Sequence, residues 1–298
     1  MKKILRMTVT SILKLLPAGA PEKIYARLFR GPLGKLVNPL ISALLPKNVR
    51  LPEGFVVLNP QDPVISAAVA FGAFEPYETE LFRKTVTSGM TVIDIGANIG
   101  YYTVIASSRT GTAGRVIAFE PAPENFGILE ETIRINGFRN VDAHMLAIAD
   151  AEGVFTLNLH DTNKGKHSLV KGMQNARGFA TSVQVMATTL ESFRFEKGVE
   201  HVDVIKMDIE GAESIALVGM PEALKKAKVL FFEFTPSAIR KAGHDPLEVL
   251  SRLRVAGFSI HDIRERTKSK ELISNDNRFI DSIPNDECAN LFCIKNAE

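Results

Sequence analysis

Hydrophobic and polar positions follow a regular rhythm from about residue 76 onward. Short β-branched runs alternate with longer segments of helical character, a pattern typical of a mainly parallel sheet covered by helices on both faces. The predicted strands are residues 91–95, 115–119, 141–148, 204–207, 228–234, 258–263 and 290–294. The predicted helices are residues 78–86, 101–108, 124–136, 213–218, 222–227 and 247–256. The chain is therefore predicted to be an α/β protein.

The interval 150–200 breaks this rhythm. Residues 154–159 and 182–187 alternate as antiparallel strands do, and a polar loop that contains glycine, residues 161–178, lies between them. Insertions of this kind beside an α/β sheet often contact the substrate. We expect residues 150–200 to cover a binding site.

Composition and charge divide the chain in two. With 45% hydrophobic and 23% charged residues among 298, it can bury a sizeable core, which excludes a disordered protein. Residues 1–50 hold ten Lys or Arg and one acidic residue, whereas residues 51–298 hold 26 bases and 33 acids. Residues 30–63 are rich in Gly and Pro and predict an irregular connector. We expect a basic, partly helical extension and connector over residues 1–63 and a single domain over 64–298.

The first 30 residues leave three interpretations open. A basic start, a short apolar middle and a small-residue end imitate a secretory signal, although Lys14 interrupts the apolar middle and leaves it too short to span a membrane. The same residues would form an amphipathic helix, either at an anionic membrane surface or packed on the protein itself. Two cysteines, Cys288 and Cys293, favour the cytosol, with the inner membrane face as the peripheral alternative. The acidic body argues against a nucleic-acid partner.

A glycine turn after the first predicted strand carries the clearest chemical signal. Its pattern is Asp94-x-Gly96-x-x-x-Gly100, at the edge where open α/β sheets bind ligands. A dinucleotide site would need G-x-G-x-x-G, and Asp94 would repel a pyrophosphate but suit the ammonium and sulfonium charges of S-adenosylmethionine. Glu120 ends the second strand, where an acid can accept hydrogen bonds from both ribose hydroxyls.

Three runs occur in order: Val-Ile-Asp-Ile-Gly-Ala-Asn-Ile-Gly-Tyr-Tyr-Thr at 92–103, Phe-Glu-Pro-Ala-Pro-Glu-Asn at 119–125, and Lys-Met-Asp-Ile-Glu-Gly-Ala-Glu at 206–213, followed by Gly219. On these runs the chain resembles the FkbM family of S-adenosylmethionine-dependent methyltransferases over about residues 74–262. The resemblance implies a doubly wound, Rossmann-like class I methyltransferase sheet of seven strands, the last antiparallel. It also implies methylation of hydroxyl groups on sugars, glycans or related small molecules. Carried over by motif position, the cofactor-binding residues would be Asp94, Gly96, Ala97, Asn98, Gly100, Tyr101 and, at the ribose, Glu120.

Methyl transfer to an alcohol requires alignment of the partners and removal of the alcohol's proton. Asp208, at the end of the fourth strand, is the preferred catalytic residue. Glu213 is a second candidate, or else an acid that stabilises a helix N-terminus. His167, in the insertion, is a candidate base because its pKa suits proton transfer near neutrality.

Further charged side chains are expected near the same strand ends. Alternation places Lys206 on the face of Asp208, where it would pair with a carboxylate. Glu78, before the first strand, would reach the methionine end or act as a capping acid. If Asp208, Glu210 and Glu233 converge, they are candidate ligands for Mg²⁺.

Two other functions remain open. One is a non-catalytic or membrane-surface binding protein that uses a methyltransferase scaffold, because fold does not fix function. The other is an NAD(P)-dependent oxidoreductase, which the missing middle glycine disfavours.

Overall fold

The computed structural model describes residues 45–160, 165, 167–170, 179–285 and 287–295. The three interpretations of residues 1–30 lie outside these ranges, as does the predicted helical part of the extension. Among the described residues, no helix has the length and hydropathy needed to cross a lipid bilayer.

The predicted strands and helices occur in the predicted order, together with elements that the sequence did not predict. The strands are β1 Asn48–Arg50, β2 Phe55–Val57, β3 Thr91–Ile95, β4 Arg115–Phe119, β5 Val141–His144, β6 Ala147–Ile148, β7 Gly153–His160, β8 Phe179–Thr188, β9 Val204–Met207, β10 Val229–Phe234, β11 Ser259–Arg264, β12 Ser269–Leu272 and β13 Ala289–Ile294. The helices are α1 Pro63–Phe71, α2 Pro76–Thr85, α3 Tyr101–Thr110, α4 Pro123–Asn136, α5 Leu190–Glu196, α6 Glu213–Val218, α7 Pro221–Lys226, α8 Pro236–Lys241, α9 Pro246–Val255 and α10 Asp276–Ser282.

The main sheet has the order β12-β11-β13-β10-β9-β3-β4-β5 within the described ranges. Strands β10, β9, β3, β4 and β5 run parallel, and β13 is antiparallel to both of its neighbours. The predicted α/β class and doubly wound sheet are confirmed. The predicted count of seven strands is wrong, because an eighth strand, β12, pairs antiparallel with β11. Its sequence, Ser-Lys-Glu-Leu, is largely exposed and carries no apolar signal, as is common for edge strands.

A second sheet of three strands, β6-β8-β7, carries the insertion. The predicted antiparallel pair at 154–159 and 182–187 is confirmed as β7 and β8, each somewhat longer than expected. The single strand predicted at 141–148 is instead two: β5 pairs with β4 in the main sheet, and β6 pairs with β8. The chain thus leaves the main sheet before residue 147, and the insertion packs against Ala122 and Ala212, which follow β4 and β9.

Helix starts differ from the sequence prediction for one physical reason. Helices α2, α4, α7 and α9 each begin with a proline that lies one or two residues before the predicted start, and α1 and α8, which also begin with proline, were not predicted. Proline fits the first helical position, because the missing N–H has no partner there in any helix. Six of the eleven prolines among the described residues therefore open helices.

A hairpin of β1 and β2 corrects the prediction of an irregular connector. It packs against α4, where Asn136 Oδ1 accepts from Phe55 N at 2.7 Å and Thr132 Oγ1 accepts from Val57 N at 3.1 Å. Val56 is fully buried in an apolar cluster with Val104 of α3. Residues 48–57 are therefore part of the folded body, whereas the predicted boundary at residue 63 stays a prediction.

The core lies on both faces of the parallel strands. On one face Ile93, Ile117, Ile205 and Leu230 are fully buried in one apolar cluster, and on the other face Val92, Val116 and Val204 are fully buried in a second cluster. Since β3, β4, β9 and β10 are neighbours and parallel, their carboxyl ends meet at one edge of the sheet.

Candidate functional site

The turn after β3 presses against the loop after β9. Gly96 has a φ of 85° and Gly100 a φ of 90°, both in the left-handed region that favours glycine. A Cβ on Gly96 would overlap the carbonyl oxygen of Asp208 and lie 2.9 Å from Ile209 Cγ2. Glycine at position 96 therefore lets the two loops that carry Asp94 and Asp208 lie side by side.

Asp94 is buried at the end of β3. Its Oδ2 accepts from Thr103 Oγ1 of α3 at 2.6 Å. Burial raises the pKa of Asp94 to about 6, against the lowering effects of the Thr103 hydrogen bond and the Lys206 charge. The hydrogen bond from Thr103 therefore fixes the Asp94 carboxyl group. A positive charge beside it would favour its ionised form.

Glu120 forms one wall of an apolar cavity. Its two carboxylate oxygens accept from the backbone N–H groups of Asn98 and Ala122, each at 2.9 Å. Burial raises the pKa of Glu120 to about 7, and these hydrogen bonds oppose that rise. The space at this cavity, including the part that is open to solvent, is about 510 Å³. Its other lining residues are mostly apolar and include Phe119, Leu146, Ile148, Leu157 and Leu169.

A larger cavity adjoins the first. Its space, including the part that is open to solvent, is about 860 Å³. Gly96, Asn98, Gly165 and Asp208 line both cavities. The described residues around it include one base, Lys206. They include five acids, which are Glu75, Asp94, Asp208, Glu210 and Glu233. This excess of acid favours a cationic ligand over an anionic one.

Lys206 is almost entirely buried in β9, as is its partner Glu78. Its Nζ lies 2.9 Å from Glu78 Oε1, 3.7 Å from Asp208 Oδ2 and 4.8 Å from the centroid of the Tyr102 ring. Burial by itself would lower the pKa of Lys206, but the carboxylates of Glu78, Glu75 and Asp208 together hold it well above its usual value. Burial also raises the pKa of Glu78 to about 8, in opposition to the Lys206 charge. The predicted pairing of Lys206 with Asp208 is present, and Glu78 is the closer partner.

Asp208, Glu210 and Glu233 converge in the larger cavity, as the sequence required for a cation site. Each offers one carboxylate oxygen within 4.8 Å of the other two. Burial, then the charges of Asp208 and Glu210, raise the pKa of Glu233 well above its usual value. Two full charges at this separation repel by about 3.5 kcal/mol at an effective dielectric constant of about 20. Protonation or a bound cation would therefore offset this repulsion.

Glu213 lies behind the loop that carries Asp208. It is fully buried in the first turn of α6, and its Oε1 accepts from Ile209 N at 2.9 Å. Burial raises its pKa to about 7. Glu213 is not among the described residues that line either cavity. Its contacts suit a residue that positions the loop, and the predicted catalytic role stays a prediction.

The insertion contacts the site through Gly165, His167, Ser168 and Leu169. His167 lines the smaller cavity with Glu120, and its Nδ1 accepts from His160 N at 3.0 Å. Ser168 Oγ donates to the carbonyl oxygen of Glu210 at 2.8 Å. His167 therefore lies at the Glu120 end of the paired cavities, and its role as a base stays a prediction.

Some cavity residues were not predicted from the sequence. Glu75, with a φ of 39°, accepts from Tyr102 Oη at 2.7 Å and from Asn290 Nδ2 at 3.3 Å. Cys288, beside β13, donates a hydrogen bond that lowers the pKa of Glu233 against the effect of burial. These residues come from segments far apart in the chain, and no local pattern marks them. The predicted residues Ala97 and Tyr101 do line the larger cavity.

Comparison with known proteins adds a family assignment. The family model described as "Methyltransferase FkbM domain" matches residues 94–260. "Methyltransferase 1" of Beauveria bassiana (strain ARSEF 2860) is 27% identical over 150 residues, which cover 44% of this chain and 58% of that protein. "Methyltransferase sdnD" of Sordaria araneosa is 27% identical over 157 residues, which cover 44% of this chain and 60% of that protein. The chain therefore spans less than two thirds of the length of these relatives. The crystal structure of methyltransferase FkbM from Methylobacillus flagellatus KT covers 90% of this chain and 60% of its own, with 14% identity and a TM-score of 0.41.

Proposed function

Since the chain belongs to the FkbM family of methyltransferases, whose domain model matches more than half of it, we propose that it transfers a methyl group from S-adenosylmethionine to a hydroxyl oxygen. The acceptor is a sugar, a glycan or a related small molecule. The observation that carries the proposal is the pair of adjoining cavities, apolar around Glu120 and acidic around Asp208.

The residues present fit this cofactor. Glu120 is a buried carboxylate held by two backbone N–H groups, and it would accept hydrogen bonds from the ribose hydroxyls. Asp94 and Asn98 line the acidic cavity and would face the methionine end. Five carboxylates against one lysine suit ammonium and sulfonium charges and would repel a pyrophosphate, which disfavours a nicotinamide dinucleotide.

The chain's own task is to align the acceptor and remove its proton. When bound, the cofactor would supply a methyl carbon on a positively charged sulfur. The sulfur would be the leaving group and would keep the electron pair of the S–C bond when the acceptor oxygen bonds to the carbon. Asp208 lines both cavities and its side chain is 27% exposed, so an acceptor can reach it. Asp208 is therefore the residue we propose to take the hydroxyl proton. His167, beside Glu120, and Glu213, behind the loop, are less well placed for this step.

Calorimetric titration of the purified full chain with S-adenosylmethionine tests the proposal first. Glu120→Gln should weaken binding at least tenfold, whereas Glu130→Gln, at an exposed position on α4, should leave it unchanged. Absence of binding in the wild-type chain would overturn the proposal, and NADH binding in its place would favour an oxidoreductase.

Turnover is tested by release of S-adenosylhomocysteine in the presence of monosaccharides, glycosides and hydroxylated polyketide-type compounds. Asp208→Asn should greatly lower turnover while changing cofactor affinity less than threefold. Asp281→Asn, exposed on α10, is the matched control. Unchanged turnover in Asp208→Asn would remove Asp208 from this role. Cofactor binding with no acceptor methylated would favour the non-catalytic scaffold.

A further inference from the structure

Three carboxylates from two neighbouring strands meet beside the proposed acceptor position. Asp208 and Glu210 follow β9, and Glu233 lies near the end of β10, which pairs with β9 in parallel. Their oxygens all lie within 4.8 Å of one another in the larger cavity. The proposed methyl transfer needs one proton acceptor, and Asp208 supplies it. The reaction by itself does not explain why Glu210 and Glu233 lie beside Asp208.

The hydrogen bonding of the Glu233 side chain is a second observation that points to a ligand. Its Oε2 is shielded from solvent and has no hydrogen-bond partner among the described residues, so the hydrogen bond from Cys288 to the Glu233 carboxylate leaves this oxygen unsatisfied. A buried carboxylate oxygen without a partner is costly, and a bound ligand would satisfy it. Lys206 does not fill this position, because its ion pairs are with Glu78, at 2.9 Å, and Asp208, at 3.7 Å.

The loop that presents two of the carboxylates is held from both sides. Glu213 Oε1 accepts from Ile209 N at 2.9 Å, and Ser168 Oγ donates to the carbonyl oxygen of Glu210 at 2.8 Å. Residues 208–210 are therefore fixed before any ligand binds, which lowers the entropic cost of binding.

We propose that Asp208, Glu210 and Glu233 bind a divalent cation and that hydroxyl groups of the methyl acceptor complete its coordination. This inference rests on the proposed function for the identity of the acceptor. Carboxylate oxygens are the ligands of Mg²⁺, Mn²⁺ and Ca²⁺. Two oxygens bound to one such ion are at most about 4.2 Å apart for Mg²⁺ and about 4.8 Å for Ca²⁺. Separations of up to 4.8 Å in the cluster are therefore compatible with one ion, after a small side-chain shift where the ion is Mg²⁺.

The proposal also narrows the acceptor class. Three carboxylate ligands leave about three of six coordination positions for water or substrate oxygens. An acceptor with two adjacent hydroxyls occupies two of these positions at once, which fixes its orientation toward the cofactor. Coordination lowers the pKa of a bound hydroxyl. If Asp208 binds the ion through one oxygen, its second oxygen remains to take the hydroxyl proton.

Titration of the metal-free full chain with Mn²⁺, followed by electron paramagnetic resonance, tests the site directly. The wild-type chain should bind one Mn²⁺, and Glu233→Gln should weaken this binding at least tenfold. Glu210→Gln serves as a second variant if Glu233→Gln fails to fold, and Glu130→Gln is the matched control. No Mn²⁺ binding in the wild-type chain, or equal binding in the folded Glu233→Gln or Glu210→Gln variant, would overturn the proposal.

A parallel titration with S-adenosylmethionine in EDTA separates this inference from the proposed function. Cofactor binding and full turnover in EDTA would overturn the cation site and leave the methyltransferase proposal intact. Mn²⁺ binding without cofactor binding would overturn the proposed function, while the cation site would stand. Preference for acceptors with adjacent hydroxyls, lost in EDTA, supports the coordination of the acceptor.

Discussion

Replacement of Gly96 by alanine tests the close approach of the two loops that form the site. The backbone at Gly96 has a φ of 85°, and an added Cβ would overlap the carbonyl oxygen of Asp208 and approach its carbonyl carbon to 3.0 Å. These atoms belong to the backbone, so no side-chain rotation relieves the overlap. The Asp208 loop must move away from the β3 turn, or the turn must change its conformation.

The expected cost has two parts. A non-glycine residue in the left-handed region costs about 1–2 kcal/mol. Forcing an extra methyl group into a packed site costs about 1–3 kcal/mol more. Gly96→Ala should therefore lower the free energy of unfolding by about 2–5 kcal/mol. Gly89 supplies the matched control, because its φ is 83° but a Cβ there would meet nothing within 4 Å. Gly89→Ala should cost about 1–2 kcal/mol.

Urea denaturation of the wild-type chain and both variants gives their free energies of unfolding. The loss in Gly96→Ala minus the loss in Gly89→Ala is the cost of the overlap alone. S-adenosylmethionine affinity should also fall in Gly96→Ala and not in Gly89→Ala, because Gly96 lines both cavities and Gly89 lines neither. Equal losses of stability in the two variants, within about 0.5 kcal/mol, would refute the reasoning. That result would mean that the two loops separate at no cost.

Three further predictions concern buried charges. In urea denaturation at about pH 9, where Glu78 with its pKa of about 8 is ionised, Lys206→Met should lower the free energy of unfolding by about 3–5 kcal/mol, because Glu78 loses its buried partner. Lys206→Met with Glu78→Leu should recover most of this loss. A loss below about 1 kcal/mol in the single variant would contradict a buried ion pair. Burial raises the pKa of Glu78 from 4.5 to about 8 and of Glu120 and Glu213 from 4.5 to about 7, so their stabilisation is complete below pH 4.5 and is lost as pH rises through 7 to 8. The Tm of the cofactor-free chain should therefore fall between pH 5.5 and about 8.5 by calorimetry, and a steady rise would count against these shifts. Cofactor affinity should increase as pH rises through about 7, where Glu120 ionises, and Glu120→Gln should remove this dependence in calorimetric titration.

Several site residues could be located from the sequence because they follow buried strands directly. Asp94, Glu120 and Asp208 each stand at the carboxyl end of a strand whose apolar run is easy to recognise. In a parallel sheet these ends share one edge, so the acids were expected to lie close together, and the two cavities include all three.

Other features depend on contacts between distant segments. Glu78 of α2 pairs with Lys206 of β9, and Asn290 of β13 reaches Glu75. No spacing in the chain relates these residues, since they meet only after the helices have packed on the sheet. The sequence pointed to Glu213 and His167 as catalytic candidates, whereas packing put one behind the loop and the other beside Glu120.

The sequence by itself determined the alternation of strands and helices, the fold class, and the turn and strand ends that line the two cavities. These follow from interactions between residues close in the chain, such as side-chain periodicity and backbone conformation at glycine. The tertiary structure decided which carboxylates converge, which lysine is buried among them, and how far burial raises the pKa of Glu78, Glu120 and Glu213. Desolvation and Coulomb interactions depend on distances through space, and these distances are set only when the sheet, the helices and the insertion pack together.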